Sequence, residues 1–369
     1  MNATAAVFHT PNRPLELTSF ALPQLRDGEA LVEVDCCTLC GSDLHSISGA
    51  RSVPAPTILG HEIVGHVVGV QGTVSDVTGQ PVMAGDRVSW SIAASCGCCF
   101  FCDEGPQQKC EQLFKYGHQR ISNDYPLSGG LATHCHLVAA TTIVKVPESL
   151  ADVVASPAGC ATATVAAALR TAGSCEGKTI VIHGVGMLGL TAAAMARSWG
   201  ATNVVVTDLD ADRIRQAVSF GASQEAVEDL KEVTDGRGAD VVLDMSGSPN
   251  AMEASIDQLR IGGRLILVGA VFPARPLSVR ADQLVRKMLR VEGVHNYGPG
   301  DLQAAFEFLA DDGNHYPFAN LVDREFPLEQ INEAVTYARK SGAFRVAIRP
   351  KRISANSRVS GVTFRQNVD

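Results

Sequence analysis

The chain has 369 residues, of which 46% are hydrophobic and 19% charged, and its formal net charge is −8. That length exceeds one ordinary core and predicts two domains, and the acidic balance argues against a nucleic-acid binder, which needs a basic footprint. No apolar run is long enough to span a bilayer, and the opening "MNATAAVFHTPNRPLEL" has no basic then apolar leader, so a cytoplasmic protein with no membrane partner is expected. In a reducing compartment eleven cysteines point to metal or reactive centres, and an odd total cannot pair completely.

Residues 1–155 read as an irregular β domain. Short β-branched runs, "ALVEVDCC", "HEIVGHVVGV", "DRVSWSI" and "THCHLVAATTIVKVP", are broken by Gly and Pro. Two pieces carry zinc-ligand chemistry: "CGSDLH", with Cys40, Ser42, Asp43 and His45, and "GHE", with His61 and Glu62. Between about 90 and 115, "SCGCCFFCDEGPQQKC" sets Cys96, Cys99, Cys102 and Cys110 in C-x2-C-x2-C-x7-C spacing and leaves Cys98 out of register. Four thiolates make a closed tetrahedral site with no room for substrate. Cys36, Cys37, Cys135 and Cys175 lack such a frame and read as core or surface thiols, and His66, His134 and His136 as ordinary sheet residues.

The pattern changes at "ADVVASPAGCATATVAAALRTAG", an alanine-rich helical stretch that holds Cys160. This thiol is the candidate third ligand, which would put a metal at an interdomain cleft. Over 156–295, buried-type strands ("KTIVIHG", "NVVVTD", "ADVVLDMSG", "GRLILVG") alternate with helical segments, predicting a parallel, doubly wound sheet. "HGVGMLG" supplies Gly184, Gly186 and Gly189 in G-x-G-x-x-G spacing between a strand and a helix, the frame of a dinucleotide site. Nineteen residues on, Asp208 can accept from the ribose hydroxyls of NAD and repel the 2′-phosphate of NADP. Arg213 is either an adenosine-ribose contact or a solvated helix charge. Val185, Met187 and Leu188 inside the motif, with Val268 and Gly269 ending "GRLILVG", complete the expected cofactor set. Beyond 295 come the helices "DLQAAFEFLAD" and "LEQINEAVTYARKSG", the strand "FRVAIRP", and a polar tail from 351 to 369.

With these motifs in order, residues 1 to about 350 resemble the zinc-dependent medium-chain alcohol dehydrogenases. The resemblance implies an α/β protein: a GroES-like irregular β catalytic domain, completed by residues 296–350, and a Rossmann NAD-binding domain. It implies two zinc ions per chain, a structural one on Cys96, Cys99, Cys102 and Cys110 and a catalytic one on Cys40, His61 and Cys160. It also implies Glu62 as a glutamate that approaches the metal, Asp43 orienting the ligand histidine, Ser42 and His45 as a proton relay, and Arg345 on the cofactor pyrophosphate. A small alcohol or aldehyde substrate and a homodimer or homotetramer follow by the same likeness.

At subfamily level "EGPQQKCEQLFKYGH" and the "SGG" at Ser128–Gly130 resemble a branch associated with phosphonate catabolism. Arg51, Lys115, His118 and Arg120 either form an anion pocket for a phosphonate or carboxylate, or are solvated loop charges. The competing readings are a polyol or amino-alcohol dehydrogenase, a zinc-ribbon interaction module and a silent scaffold. The acidic balance opposes the module, and the complete Cys40–His61–Cys160 set opposes the scaffold.

Overall fold

A computed structural model describes residues 2–223 and 227–350. The tail expected from 351 to 369 lies outside the described residues. The β-rich part contains, among those residues, a three-stranded sheet ordered Glu16–Ala21, Asn2–Phe8, Thr57–Ile58, and a seven-stranded sheet. The larger sheet runs Ile143–Lys145, Arg87–Trp90, Glu62–Val70, Ala30–Thr38, Arg345–Arg349, Val322–Pro327, with His134–Leu137 also paired to Ala30–Thr38.

One pairing in this sheet decides where the chemistry sits. Ala30–Thr38 runs antiparallel to Glu62–Val70, with register shifts at Leu31/Val32 and Val34/Cys36 that end by setting Thr38 opposite Glu62. The chain therefore leaves one strand at Cys40 and enters the other at His61, at the same end of the sheet. Bulged registers of this kind re-aim strand ends beside sites.

The second part is a five-stranded parallel sheet ordered Asn203–Thr207, Thr179–His183, Ala239–Asp244, Leu259–Leu267, Arg290–Gly293. Its central strands have apolar middles because each face has its own core. Ile180, Ile182, Val204, Val206, Val241 and Leu243 face one cluster, and Val181, Val205 and Val242 the other. Side chains alternate with period two, so two covered faces require an unbroken hydrophobic run.

The larger of those clusters also takes in Cys36, Val64, Ile92 and Val144 of the β-rich part, so one core runs under both halves. Alanines of the helix Ala161–Ala172 let Met187–Ser198 and Pro299–Ala310 pack closely against it. The segment 296–350, expected to complete the catalytic domain as a unit, is divided. Leu302, Phe306, Leu309 and Phe318 join the core of the parallel sheet, whereas Phe326, Ile331, Val346 and Ile348 join the β-rich core. The return begins with Val322–Pro327, which pairs in parallel with Arg345–Arg349. No single helix among the described residues is long and apolar enough to cross a membrane.

The β-rich part is clamped at Asp152, which opens the short helix Asp152–Ala155. Its carboxylate accepts from Arg87 Nη2 at 2.6 Å and also pairs with Arg349 Nη1, while the buried Arg87 donates to the carbonyls of Pro147 and Leu150. Removing Arg87 would leave Asp152 to Arg349 alone and strip the Pro147 and Leu150 carbonyls of their donor. Arg87→Met is expected to cost about 3 kcal/mol of stability, the scale of acceptors left unsatisfied, read as a lowered urea midpoint; an unchanged midpoint would show that this clamp holds nothing.

Candidate metal centres and cofactor cleft

Among the described residues two clusters offer ligand atoms within 4.8 Å of one another: Cys40, His61, Glu62 and Cys160, and Cys96, Cys99, Cys102 and Cys110. In the first, Cys40 is the N-cap of the helix Gly41–Ser48, and Asp43 in its first turn ties the ligand segments together. Asp43 Oδ2 accepts from the Cys40 N–H at 2.9 Å and Oδ1 from the Gly60 N–H at 3.2 Å. His61 Nδ1 lies 3.4 Å from Asp43 Oδ1, without hydrogen-bond alignment, and Ser42 Oγ is 3.4 Å from His61 Nε2. His45, one turn along, is exposed, and its ring meets Phe272 edge-on at 4.8 Å.

Cys160 arrives from a distant segment through two anchors. Ser156 Oγ donates to the Glu62 carbonyl at 2.7 Å and accepts from the Thr38 N–H at 3.1 Å. The Tyr297 hydroxyl donates to the Gly159 carbonyl and accepts from the Ile92 N–H at 3.0 Å. The turn Ser156–Gly159 is thereby fastened across both strand ends, and the next residue is the ligand.

The electrostatics of the cluster suit a bound cation. The Cys160 contact holds Cys40 well below the ordinary thiol range, and the same contact, with burial, raises Cys160 well above it. Two buried thiols thus share one proton, and a soft divalent metal lets both ionise. Burial opposes charge on His61, but Asp43 and Cys40 outweigh it and lift its pKa to about 10. Burial pushes Glu62 up to about 7 against the pull of Arg345.

Arg345, expected on the cofactor pyrophosphate, is found on the buried Glu62 carboxylate. Its Nε and Nη2 each reach a Glu62 carboxylate oxygen at 2.7 Å, and Nη2 stands 3.7 Å from Cys40 Sγ. The reason is register: Arg345–Arg349 pairs with Ala30–Thr38, setting Ala347 opposite Thr38 and bringing Arg345 to the buried carboxylate. Thr38 Oγ1 completes the set, donating to Glu62 Oε2 at 2.6 Å.

The four-cysteine lobe has the dimensions of a tetrathiolate zinc site. Cys96 and Cys102 Sγ are 3.9 Å apart and Cys99 and Cys102 Sγ 3.5 Å, against about 3.8 Å for a tetrahedron with 2.3 Å Zn–S bonds. The Cys96 and Gln112 N–H groups donate to Cys110 Sγ. Cys98 is exposed, its sulfur 3.7 Å from that of Cys96.

The glycine motif has the shape a pyrophosphate needs. Gly184 has φ 90°, and a Cβ there would lie 2.8 Å from Ser246. A Cβ on Gly189 would lie 2.0 Å from the Gly184 carbonyl oxygen, while at Gly186, N-cap of Met187–Ser198, it would meet nothing within 4 Å. Turn, close packing and open approach are the three roles such glycines serve. Asp208 braces this turn, accepting from the Val185 N–H at 2.7 Å and the Asp210 N–H at 3.0 Å. Val268 and Gly269 both donate backbone N–H to the Asp244 carbonyl at the ends of neighbouring strands. Arg213 lies over Phe344 at 5.2 Å and 3.8 Å from Asp210.

Gly60 (φ 89°) and Gly117 (φ 74°) back onto each other, a Cβ on Gly117 falling 2.7 Å from the Gly60 oxygen. The residues that follow, His61 and His118, therefore meet, ring centroids 5.2 Å apart. The "SGG" packs on the same spot: a Cβ on Gly129 would strike the Ile58 carbonyl at 2.0 Å, and Gly130 N–H donates to Gly60. Those glycines thus serve backbone packing. Arg120 is exposed, in an isolated bridge with Thr57. Cys36, Cys37, Cys135 and Cys175 are buried core thiols, whereas His66 and His136 contact carboxylates within the sheet, Asp35 at 2.5 Å and Glu29 at 2.8 Å. Thr38, Ser156 and Tyr297 carry no motif, so only the folded chain reveals their part in the site.

Residues 26–148 match the family description "Alcohol dehydrogenase GroES-like domain" and 187–311 match "Zinc-binding dehydrogenase". Sorbitol dehydrogenase of Bacillus subtilis is 30% identical, over 95% of this chain and 98% of its own. An alcohol dehydrogenase of Geobacillus stearothermophilus is 32% identical over 89% and 94% of the two chains. A solved alcohol dehydrogenase from Thermotoga maritima superposes with a TM-score of 0.89 at 31% identity, covering 95% of this chain and all (100%) of that one. With two zinc-type ligand clusters on a GroES-like domain and a Rossmann-like sheet, the chain belongs to the zinc-binding medium-chain alcohol dehydrogenase family.

Proposed function

We propose that the protein transfers hydride between NAD(H) and an alcohol, with the matching aldehyde or ketone as the other partner. The observation that carries this reading is the convergence of Cys40, His61 and Cys160, from three separate segments, on one ligand cluster. When bound, zinc supplies a Lewis acid that polarises the substrate oxygen. The remaining work belongs to the chain. Asp43 holds the Cys40 and Gly60 backbones, fixing the spacing of the ligand residues. Ser42 Oγ, beside His61 Nε2, is placed to take the hydroxyl proton, and His45, on the same helix face and exposed, to pass it to solvent. Glu62 is the exchange ligand, with Arg345 holding its charge in reserve.

NAD is the preferred cofactor because the Asp208 carboxylate stands against the glycine turn, where a 2′-phosphate would meet its charge. The finer substrate reading is a small alcohol or aldehyde carrying an anionic group, phosphonate among them; the half-buried Lys115 supports it. A polyol dehydrogenase is the second reading, favoured by the likeness to sorbitol dehydrogenase. A homodimer or homotetramer is supported by the edge strand Arg290–Gly293 and the exposed Val285, Met288 and Val291 around it. A cytoplasmic setting agrees with eleven unpaired cysteines.

Metal analysis of the purified protein is expected to give about two zinc ions per chain; one or none would remove a site. Cys40→Ser should abolish NAD-linked alcohol oxidation while circular dichroism and cofactor binding stay near wild type, and retained turnover would refute the ligand assignment. Asp208→Ala should lower the preference for NAD over NADP by roughly tenfold, the value of one charge-assisted contact. An unchanged ratio would clear Asp208 of that role.

A further inference from the structure

Across the cleft from the catalytic ligands, one strap of the parallel-sheet half touches the proposed proton relay. It spans 269–278, after the strand Leu259–Leu267, and both of its ends are fastened. At its start the Asp244 carbonyl accepts from the Val268 and Gly269 N–H groups at 3.0 and 2.9 Å. The Asp244 carboxylate accepts from Ser246 and from the Gly247 N–H, so one residue braces two backbones. Those backbones touch: a Cβ on Gly269 would lie 2.3 Å from Gly247 N, and one on Gly247 2.6 Å from the Gly269 oxygen. At its far end Arg275 lies on Glu253 of the helix Pro249–Gln258, Nη1 to Oε1 at 2.7 Å and Nη2 to Oε2 at 2.8 Å. The Ser278 N–H donates to the same Oε1 at 2.6 Å, and Arg275 also donates to Asn250 Oδ1. Bidentate Arg–carboxylate geometry fixes orientation as well as distance.

Between these anchors Val271 and Phe272 are 57% and 37% exposed, an apolar pair on the surface of the strap. Phe272 does not hang free. Its ring meets the His45 imidazole of the β-rich part edge-on, with centroids 4.8 Å apart and planes at 61°. His45 needs such a neighbour. It is exposed in the last turn of Gly41–Ser48, and among the described residues no hydrogen bond or ion pair holds its ring. An exposed imidazole turns about two side-chain torsions, whereas a relay needs its nitrogens within hydrogen-bond reach of the next group. Edge-to-face packing selects one ring plane.

We propose that Phe272 is a positioning residue for the relay: it holds the His45 ring in the orientation that takes a proton from the Ser42 side and passes it to solvent, and the Arg275–Glu253 anchor acts on His45 through it. The helix Pro249–Gln258 is thereby linked to the helix Gly41–Ser48 through side chains that are not ligand candidates. Arg275 and the Ser278 N–H keep the Glu253 carboxyl down at about 2, so the anchor stays charged across the working range of pH. This inference rests on the oxidoreductase reading above for what His45 passes on, but not for the hold on its ring.

The test uses full-length, zinc-loaded protein whose ten histidines are isotope-labelled at Cε1, the His45 resonance being assigned by its loss in His45→Gln. Phe272→Ala removes the phenyl ring current and should shift that resonance, and Glu253→Ala, which frees the strap, should shift it the same way. Single turnovers with NAD are then followed on whichever of 1-propanol, sorbitol or 3-hydroxypropionate reacts fastest. At saturating substrate Phe272→Ala should slow NADH formation roughly two- to tenfold, the weight of one aromatic pair. Added HEPES base should restore the rate by taking the proton directly, and Phe272→Tyr, which keeps the ring, should recover most of it. Phe272→Ala with Glu253→Ala should be no slower than Phe272→Ala alone, since both act through one contact. A His45 resonance that Phe272→Ala or Glu253→Ala leaves unmoved overturns the proposal. So does a change confined to half-saturation, which would make Phe272 a wall of the substrate pocket. A resonance that moves while the rate and its HEPES dependence stay as in wild type overturns the role in the relay and leaves the enzyme reading standing. If wild type oxidises none of the three alcohols but the resonance moves in both variants, the hold stands and the oxidoreductase reading falls.

Discussion

The site depends on one buried carboxylate. Glu62 is fully buried beside two thiols, a position in which an isolated charge would be far too costly to hold. It is tolerated because Arg345 meets both its oxygens and Thr38 donates to one of them. Those two partners belong to the strands Arg345–Arg349 and Ala30–Thr38, and Glu62's own carbonyl accepts from Ser156. Four segments that are remote in sequence are thus held together through a single residue. A buried ion pair of this kind contributes little net stability but fixes one arrangement, since losing any partner strands a charge.

The placement of Cys160 follows from that arrangement. Nothing local in the alanine-rich helix holds a thiol towards Cys40. What does so is the turn before it, which Ser156 fastens to the strand ends and Tyr297 fastens to Ile92. Cys160 is therefore set by a hydrogen-bonded frame of neutral groups, and a bound metal would have only to separate two thiols from their shared proton. Hydrogen bonds that are individually modest act here as a positioning device, in the manner of outer-shell groups at metal sites.

Much of this was legible in the sequence, and the unread part has a common cause. The parallel sheet announced itself because strands covered on both faces need consecutive apolar residues, as the middles of "TIVIH" and "NVVVT" have. The ligand cysteines announced themselves through spacing and the glycine turn through its frame. The contact of Arg345 with Glu62 went unread because it is set by strand register 283 positions away, which no local pattern encodes. The division of residues 296–350 between two cores was hidden for the same reason: Phe306 and Phe326 look alike in sequence and differ only in which sheet they reach. His118 was noticed as one charge among several, whereas its buried, unpartnered nitrogen exists only once Gly60 and Gly117 have met.

The two-part architecture gives the cleft a particular mechanical character. Its walls are joined by a shared apolar core below and by a few polar or aromatic contacts above: Tyr297 to Gly159, Lys109 to His295, and His45 to Phe272. The first is buried and anchors a ligand, so it belongs to the fixed part. The other two join exposed side chains, each pairing a residue of the β-rich part with one from the loops after the parallel strands. Contacts between exposed side chains are weakly held and can be exchanged for contacts to a ligand at little cost. The proposed proton relay therefore bridges a fixed and an exchangeable part of the cleft. Its inner member, the half-buried Ser42, stands at His61, and its outer member, the exposed His45, touches Phe272 on the opposite wall, so cleft geometry reaches the relay through a side chain that moves without disturbing Cys40, His61 or Cys160.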